Sequence, residues 1–130
     1  MKVISIKEPY ATLIKENIKN IETRSWKTNY RGEIYIHASK TSSKITDKKL
    51  LELTKNLKAS NGNIIAKATL VDCKYMDKEF IKEIKQNKTE YLCGDYKEGR
   101  YAWILKDIKK IKPIKAKGKL NIWNYEIETN

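Results

Sequence analysis

Apolar residues recur at every second position in two separated stretches of this chain, and that alternation demands extended structure. In Glu33-Ile34-Tyr35-Ile36-His37-Ala38, the residues Ile34, Ile36 and Ala38 share one face while Tyr35 and His37 take the other. From Ile64 to Tyr75 the residues Ile64, Ala66, Ala68 and Leu70 repeat the pattern. A strand with one apolar face must pair its backbone edges and bury that face against something else. Shorter segments supply the partners: Val3–Ile6, residues 21–26, Tyr101–Leu105 and Asn121–Tyr125. Between them lie segments with helical spacing. Pro9 suits the first helical position, where a missing N–H is harmless, and Tyr10, Leu13, Ile14 and Ile18 form one stripe behind it. Residues 46–58 place Leu50, Leu51, Leu53 and Leu57 on an apolar side, and Asn61-Gly62 turns the chain afterwards. Asp77 caps a third helix carrying Phe80, Ile81 and Ile84. The stretch 88–99, with Gly94 and Gly99, reads as a loop, and Pro113 either breaks the strand that starts at Tyr101 or puts it on an edge. About six strands and three short helices in mixed order predict an α+β fold, a small mixed β-barrel with helices packed on it. At 130 residues the chain has room for one domain, spanning 1–130.

Composition narrows the function classes. Charged residues make up 34% of the chain and the mean hydropathy is -0.69, which predicts no membrane partner. No apolar leader stands at the N-terminus, and the two cysteines, Cys73 and Cys93, form no CxxC pair. Both features fit free thiols in the cytoplasm. One His and no ligand spacing give no expectation of a metal, and no cofactor motif occurs. The net charge of +12 attracts polyanions. Lys (25), Ile (18) and Asn (10) together are also what an AT-rich coding sequence produces, so charge alone defines no site.

The three arginines say more. In a chain that otherwise uses Lys, an Arg supplies a planar bidentate fork. Arg24, Arg31 and Arg100 each stand beside an aromatic residue: Trp26, Tyr30 and Tyr101. Guanidinium and aromatic faces together suit unstacked bases and phosphates. On an extended 21–26 segment, Glu22, Arg24 and Trp26 project from one face, with Lys19 just before it. Lys19 and Arg24 would hold an anion or a polar base edge. Glu22 would accept from an exocyclic amine or act as a base. Lys19 and Glu22 are therefore the candidates for catalysis, and His37, the sole histidine, joins the binding candidates. From Lys106 to Lys119 there are seven lysines and one acid, either a basic contact surface or an edge strand protected against pairing.

These motifs resemble those of the ASCH family. The resemblance rests on Ser5-Ile6-Lys7-Glu8-Pro9-Tyr10-Ala11, Lys19-Asn-Ile-Glu22-Thr-Arg24-Ser-Trp26, Tyr30-Arg31-Gly32 through His37-Ala38-Ser39, Gly94 to Trp103, and Lys117-Gly118 to Trp123. It covers nearly the whole chain in order. It implies a PUA-like barrel and an RNA- or nucleotide-binding cleft beside it, lined through K-x-x-E-x-R by Lys19, Glu22 and Arg24. One branch of the family is an amidohydrolase acting on acetylated cytidine through a Lys and a Thr. Here the Lys matches Lys19, but the Thr nucleophile position holds Glu22, and neighbouring Thr23 is expected on the opposite face. Other small members are read as ribonucleases, for which Lys19, Tyr30 and His37 would be the acid–base groups.

Overall fold

The computed structural model describes residues 1–126. Its elements run β1 (Lys2–Glu8), α1 (Tyr10–Lys15), β2 (Ile21–Arg24), β3 (Gly32–Ser42), α2 (Lys48–Thr54), β4 (Asn63–Tyr75), α3 (Lys78–Ile84), α4 (Lys88–Leu92), β5 (Tyr101–Lys115) and β6 (Ile122–Asn124). The six strands form one sheet in the order β2-β5-β4-β3-β1-β6. All neighbours are antiparallel except β1 and β3, where α1 and β2 intervene in the chain.

The α+β class and six strands match the sequence, whereas the expected closed barrel does not form. The end strands β2 and β6 do not pair with each other, so the sheet stays open. β6 covers β1 only from Lys2 to Ile4. Beyond Ile4, the outer edge of β1 has no strand beside it among the described residues, and neither has the outer edge of β2.

The main core occupies one face of this sheet. Ile4, Ile6, Ile34, Ile36, Ala38, Ala66, Ala68, Leu70 and Trp103 pack there with Ala11 and Ile14 of α1. A second cluster on the opposite face holds Val3, Ile64 and Trp123. Ile64 thus departs from the face it shares in the sequence pattern with Ala66. Register shifts near it, opposite β3 and β5, change the side of the sheet toward which it points.

Other differences follow from local chemistry. Asp47 accepts from the Leu50 N–H and starts α2 later than the leucine pattern predicts. Leu50, Leu53 and Leu57 pack in a third cluster, while Leu51 is 46% exposed, since four leucines over eight positions cover too wide an arc for one face. The predicted loop 88–99 contains α4, too short for a periodic signal, capped by Asn87. β5 runs straight through Pro113. There its outer edge is unpaired, and the pairing with β4 shifts register between Ile64 and Ala66, so the missing N–H breaks no ladder bond.

The segment between β5 and β6 is pinned across β1 and β3 by His37. A carbonyl can only accept, so Nε2–H donates to Ala116 O (2.8 Å), and Nδ1 shares a hydrogen bond with Ser5 Oγ at 3.0 Å. Trp123 Nε1–H donates to the same Ser5 hydroxyl at 3.1 Å. Gly118 lies over this pair. A Cβ there would stand 2.8 Å from His37 Cε1 and 3.0 Å from Ser5 Oγ. Gly118→Ala is expected to lower unfolding free energy by about 1–3 kcal/mol, the usual penalty of overpacking, measured by urea denaturation. An unchanged midpoint would mean that the segment lifts off without loss.

Candidate ligand cavity at the sheet seam

The free edges of β1 and β2 face each other across the gap in the sheet. One side chain spans it: Arg24 Nη2 donates to the Ser5 carbonyl at 2.8 Å. The same nitrogen lies 3.1 Å from Glu22 Oε2. Glu22 Oε1 in turn stands 3.6 Å from Lys19 Nζ and accepts from the Thr23 N–H at 3.2 Å. Lys19 is 1% exposed and donates to the Cys93 carbonyl at 2.7 Å, with its ammonium 5.6 Å from the centre of the Tyr10 ring. A buried ammonium persists only when its charge is compensated, and here one hydrogen-bonded carbonyl, a nearby carboxylate and a ring face do so. Lys19 therefore forms part of the floor of the site.

Above this chain of contacts opens a cavity of about 910 Å³. β1 contributes Ser5, Ile6 and Lys7, the β2 segment contributes Glu22 to Trp26, and Lys117 to Asn121 form the far wall. Seven basic and two acidic side chains line it, a formal surplus of five positive charges. Low-dielectric walls with one sign of charge concentrate anions.

Six of the sequence candidates converge here: Lys19, Glu22, Arg24, Trp26, His37 and Arg100. Trp26 lies beyond the end of β2, held edge-on to Trp103 with ring centres 4.7 Å apart. Arg100 ties the loop before β5 to β2, donating to Asp95 O at 3.0 Å and to Thr23 O at 3.4 Å. His37 has both ring nitrogens engaged and is fully buried.

The other three candidates stand apart from the cavity. Tyr30 donates to the Glu33 carbonyl, and Arg31 donates to Thr28 O and Tyr30 O at 3.0 and 2.8 Å, so both shape the turn before β3. Tyr101 packs edge-on against Tyr75.

Sequence reasoning also passed over residues that line the site. Thr23, expected on the opposite face, lines it, with its hydroxyl accepting from the Asp95 N–H at 3.1 Å. Tyr10, assigned to the helix stripe, presents its ring to the cavity, and burial raises its phenol above the ordinary value. Burial likewise pushes the Cys93 thiol up, with Lys19 opposing the shift. Among the described residues, no group of His, Cys, Asp and Glu is arranged to hold a metal, and no helix is long and apolar enough to cross a membrane.

The family model for the ASCH domain matches residues 4–115. The chain belongs to the ASCH domain family. Among solved structures, an ASCH protein from Zymomonas mobilis is 22% identical with a TM-score of 0.56, over 88% of this chain and 72% of that one. A Tyr-to-Phe variant of that protein is 21% identical with a TM-score of 0.55, over 88% of this chain and 74% of its own. A Ser-to-Ala variant gives 21% and 0.54, over 88% and 72%. These likenesses establish the shared fold. Comparison with curated proteins returned no match.

One further carboxylate positions this ASCH domain's site. Glu90 of α4 is 4% exposed and accepts from the N–H groups of Asn20 and Ile21, fixing the start of β2 next to Lys19. Burial, its largest influence, raises its pKa, while these N–H groups and Lys19 partly oppose the shift. Folding thus favours the protonated acid, and this contribution is present below the unfolded carboxyl pKa and lost as pH rises through the folded one. Relative to the parent, Glu90→Gln is expected to gain in melting temperature as pH rises above the ordinary carboxyl value of 4.5. A difference that stays flat with pH would mean that the buried charge is fully compensated.

Proposed function

We propose that the seam cavity binds a nucleotide, free or as an unpaired residue of an RNA strand. The observation that carries this reading is the convergence of a guanidinium, a buried ammonium, a carboxylate and an indole on one cationic cavity of about 910 Å³, within the usual size range of ligand sites. Each group has a place in such recognition. Trp26 offers an aromatic edge and part of a face to a base. Glu22 accepts from an exocyclic amine while holding Lys19 and Arg24 in place. Lys7, Lys40, Lys117 and Lys119 at the rim suit phosphates. Membership of the ASCH family supports the same class of partner.

Filter binding to single-stranded RNA across a salt series tests this. With about four phosphates neutralised, log K should fall against log salt with a slope near ~-3, at about 0.7 per phosphate. Arg24→Ala should weaken binding by about 1.5–3 kcal/mol, as expected for a charged hydrogen-bond partner, whereas Lys78→Ala on α3 should change little. Binding indifferent to salt, or equal losses for the two variants, would remove the cavity as the site.

A second reading, metal-independent hydrolysis of a modified nucleoside or of RNA, draws on the hydroxyls of Tyr10 and Thr23 lining the same cavity as Lys19. Thr23 stands one residue beyond the position where the amidohydrolase branch carries its nucleophile. Chromatography of acetylated cytidine and of short RNA after incubation in chelator should then show turnover that Lys19→Met abolishes. Substrates recovered intact would leave binding as the sole function.

A further inference from the structure

The second apolar cluster is only partly covered. Tyr35, Ile111, Ile114 and Met1 pack half-buried against Val3, Ile64 and Trp123. With Lys112 and Pro113 they wall a groove of about 330 Å³ on the face of the sheet away from the main core. Strand register sets Tyr35 beside Lys67 and Lys67 beside Lys109, so an aromatic ring and two ammonium groups form one cross-strand row. Lys109 and Lys112 are exposed and form no salt bridge among the described residues. Lys67 meets Glu33 only at 3.9 Å. Beyond Leu105, whose N–H donates to Asn20 O, β5 has no strand on its outer side among the described residues.

A ring at an apolar groove with unpaired ammonium groups beside it fits a single nucleic-acid strand: a base has a face to stack on, and its phosphates have cations within reach. The groove and the cavity adjoin one another along the chain. Ile114 lines one and Lys117 the other, with exposed Lys115 between them. Three extended residues span about 10 Å, so a strand seated in the cavity can continue into the groove.

We propose that this groove is a second contact for single-stranded RNA, stacking an unpaired base on Tyr35 and holding neighbouring phosphates on Lys109 and Lys112. It extends the cavity reading above, and the experiment separates the two. Fluorescence anisotropy would follow binding of a uridine oligomer of about 16 nucleotides, near the upper site size for one domain, and uridine monophosphate would be titrated in parallel. The double variant Lys109→Gln/Lys112→Gln should reduce the slope of log K against log salt by about 1.4, two phosphates at 0.7 each. Tyr35→Leu, which keeps the groove filled but removes the ring, should weaken the oligomer about tenfold and leave the slope alone. Neither change should affect the monophosphate.

Oligomer binding equal to that of the parent in both variants overturns the groove proposal, even if Arg24→Ala shows that the cavity binds. Loss in the groove variants with Arg24→Ala silent overturns the cavity reading and leaves the groove. A dimer in sedimentation that the groove variants dissociate, with RNA binding unchanged, assigns the groove to a second copy of the chain and overturns the proposal.

Discussion

The guanidinium of Arg24 reaches across the gap between two strand edges, 2.8 Å from the Ser5 carbonyl and 3.1 Å from the Glu22 carboxylate. The hydrogen-bonded ladder does not close the sheet, so this side chain does part of the work of a missing strand pair. Its hold on β1 stops short of sealing the seam, and the unsealed remainder is the cavity. Glu22 links the bridge to Lys19, and Lys19 to the carbonyl of Cys93 at the end of α4. Three segments far apart in the chain are thus held by one line of alternating charge.

Such a line is costly to bury and strong only while complete, because removal of one member strands a charge in low dielectric. That favours a stiff site. Glu90 fixes the start of β2, Asp95 and Arg100 clamp the loop that passes Thr23, and His37 pins the segment carrying Lys117 and Gly118. The walls around Lys19 and Arg24 are therefore set by hydrogen bonds between separate segments, while the rim lysines stay exposed. A cross-linked interior with an exposed cationic rim can attract an anion from a distance and orient only the part that enters.

Much of this was legible in the residues. The period-two alternation located β3 and most of β4, and the K-x-x-E-x-R spacing located the line from Lys19 to Arg24. Where the pattern misled, a specific interaction intervened. The 21–26 segment reads as one strand, but β2 ends at Arg24, and Trp26 reaches the cavity by packing on Trp103, a residue far away in sequence. Tyr30 and Arg31 look like ligand groups because they have the right chemistry, yet backbone carbonyls of their own turn occupy them. Thr23 keeps its place in the regular β2–β5 register, but the loop carrying Gly94 and Asp95 folds against it and brings the cavity wall to its side.

Alternation, capping residues and motif spacing are local properties, and they determined the strands, the α+β class and the identity of the charged line, because side-chain direction and helix starts depend on near neighbours. Whether the sheet closed depended on which strand edges met after it curled, a matter of packing between residues more than a hundred positions apart, such as Val3 and Trp123. The tertiary structure alone decided that β6 covers just the first half of β1, and so that an open seam, lined by the line from Lys19 to Arg24, exists at all.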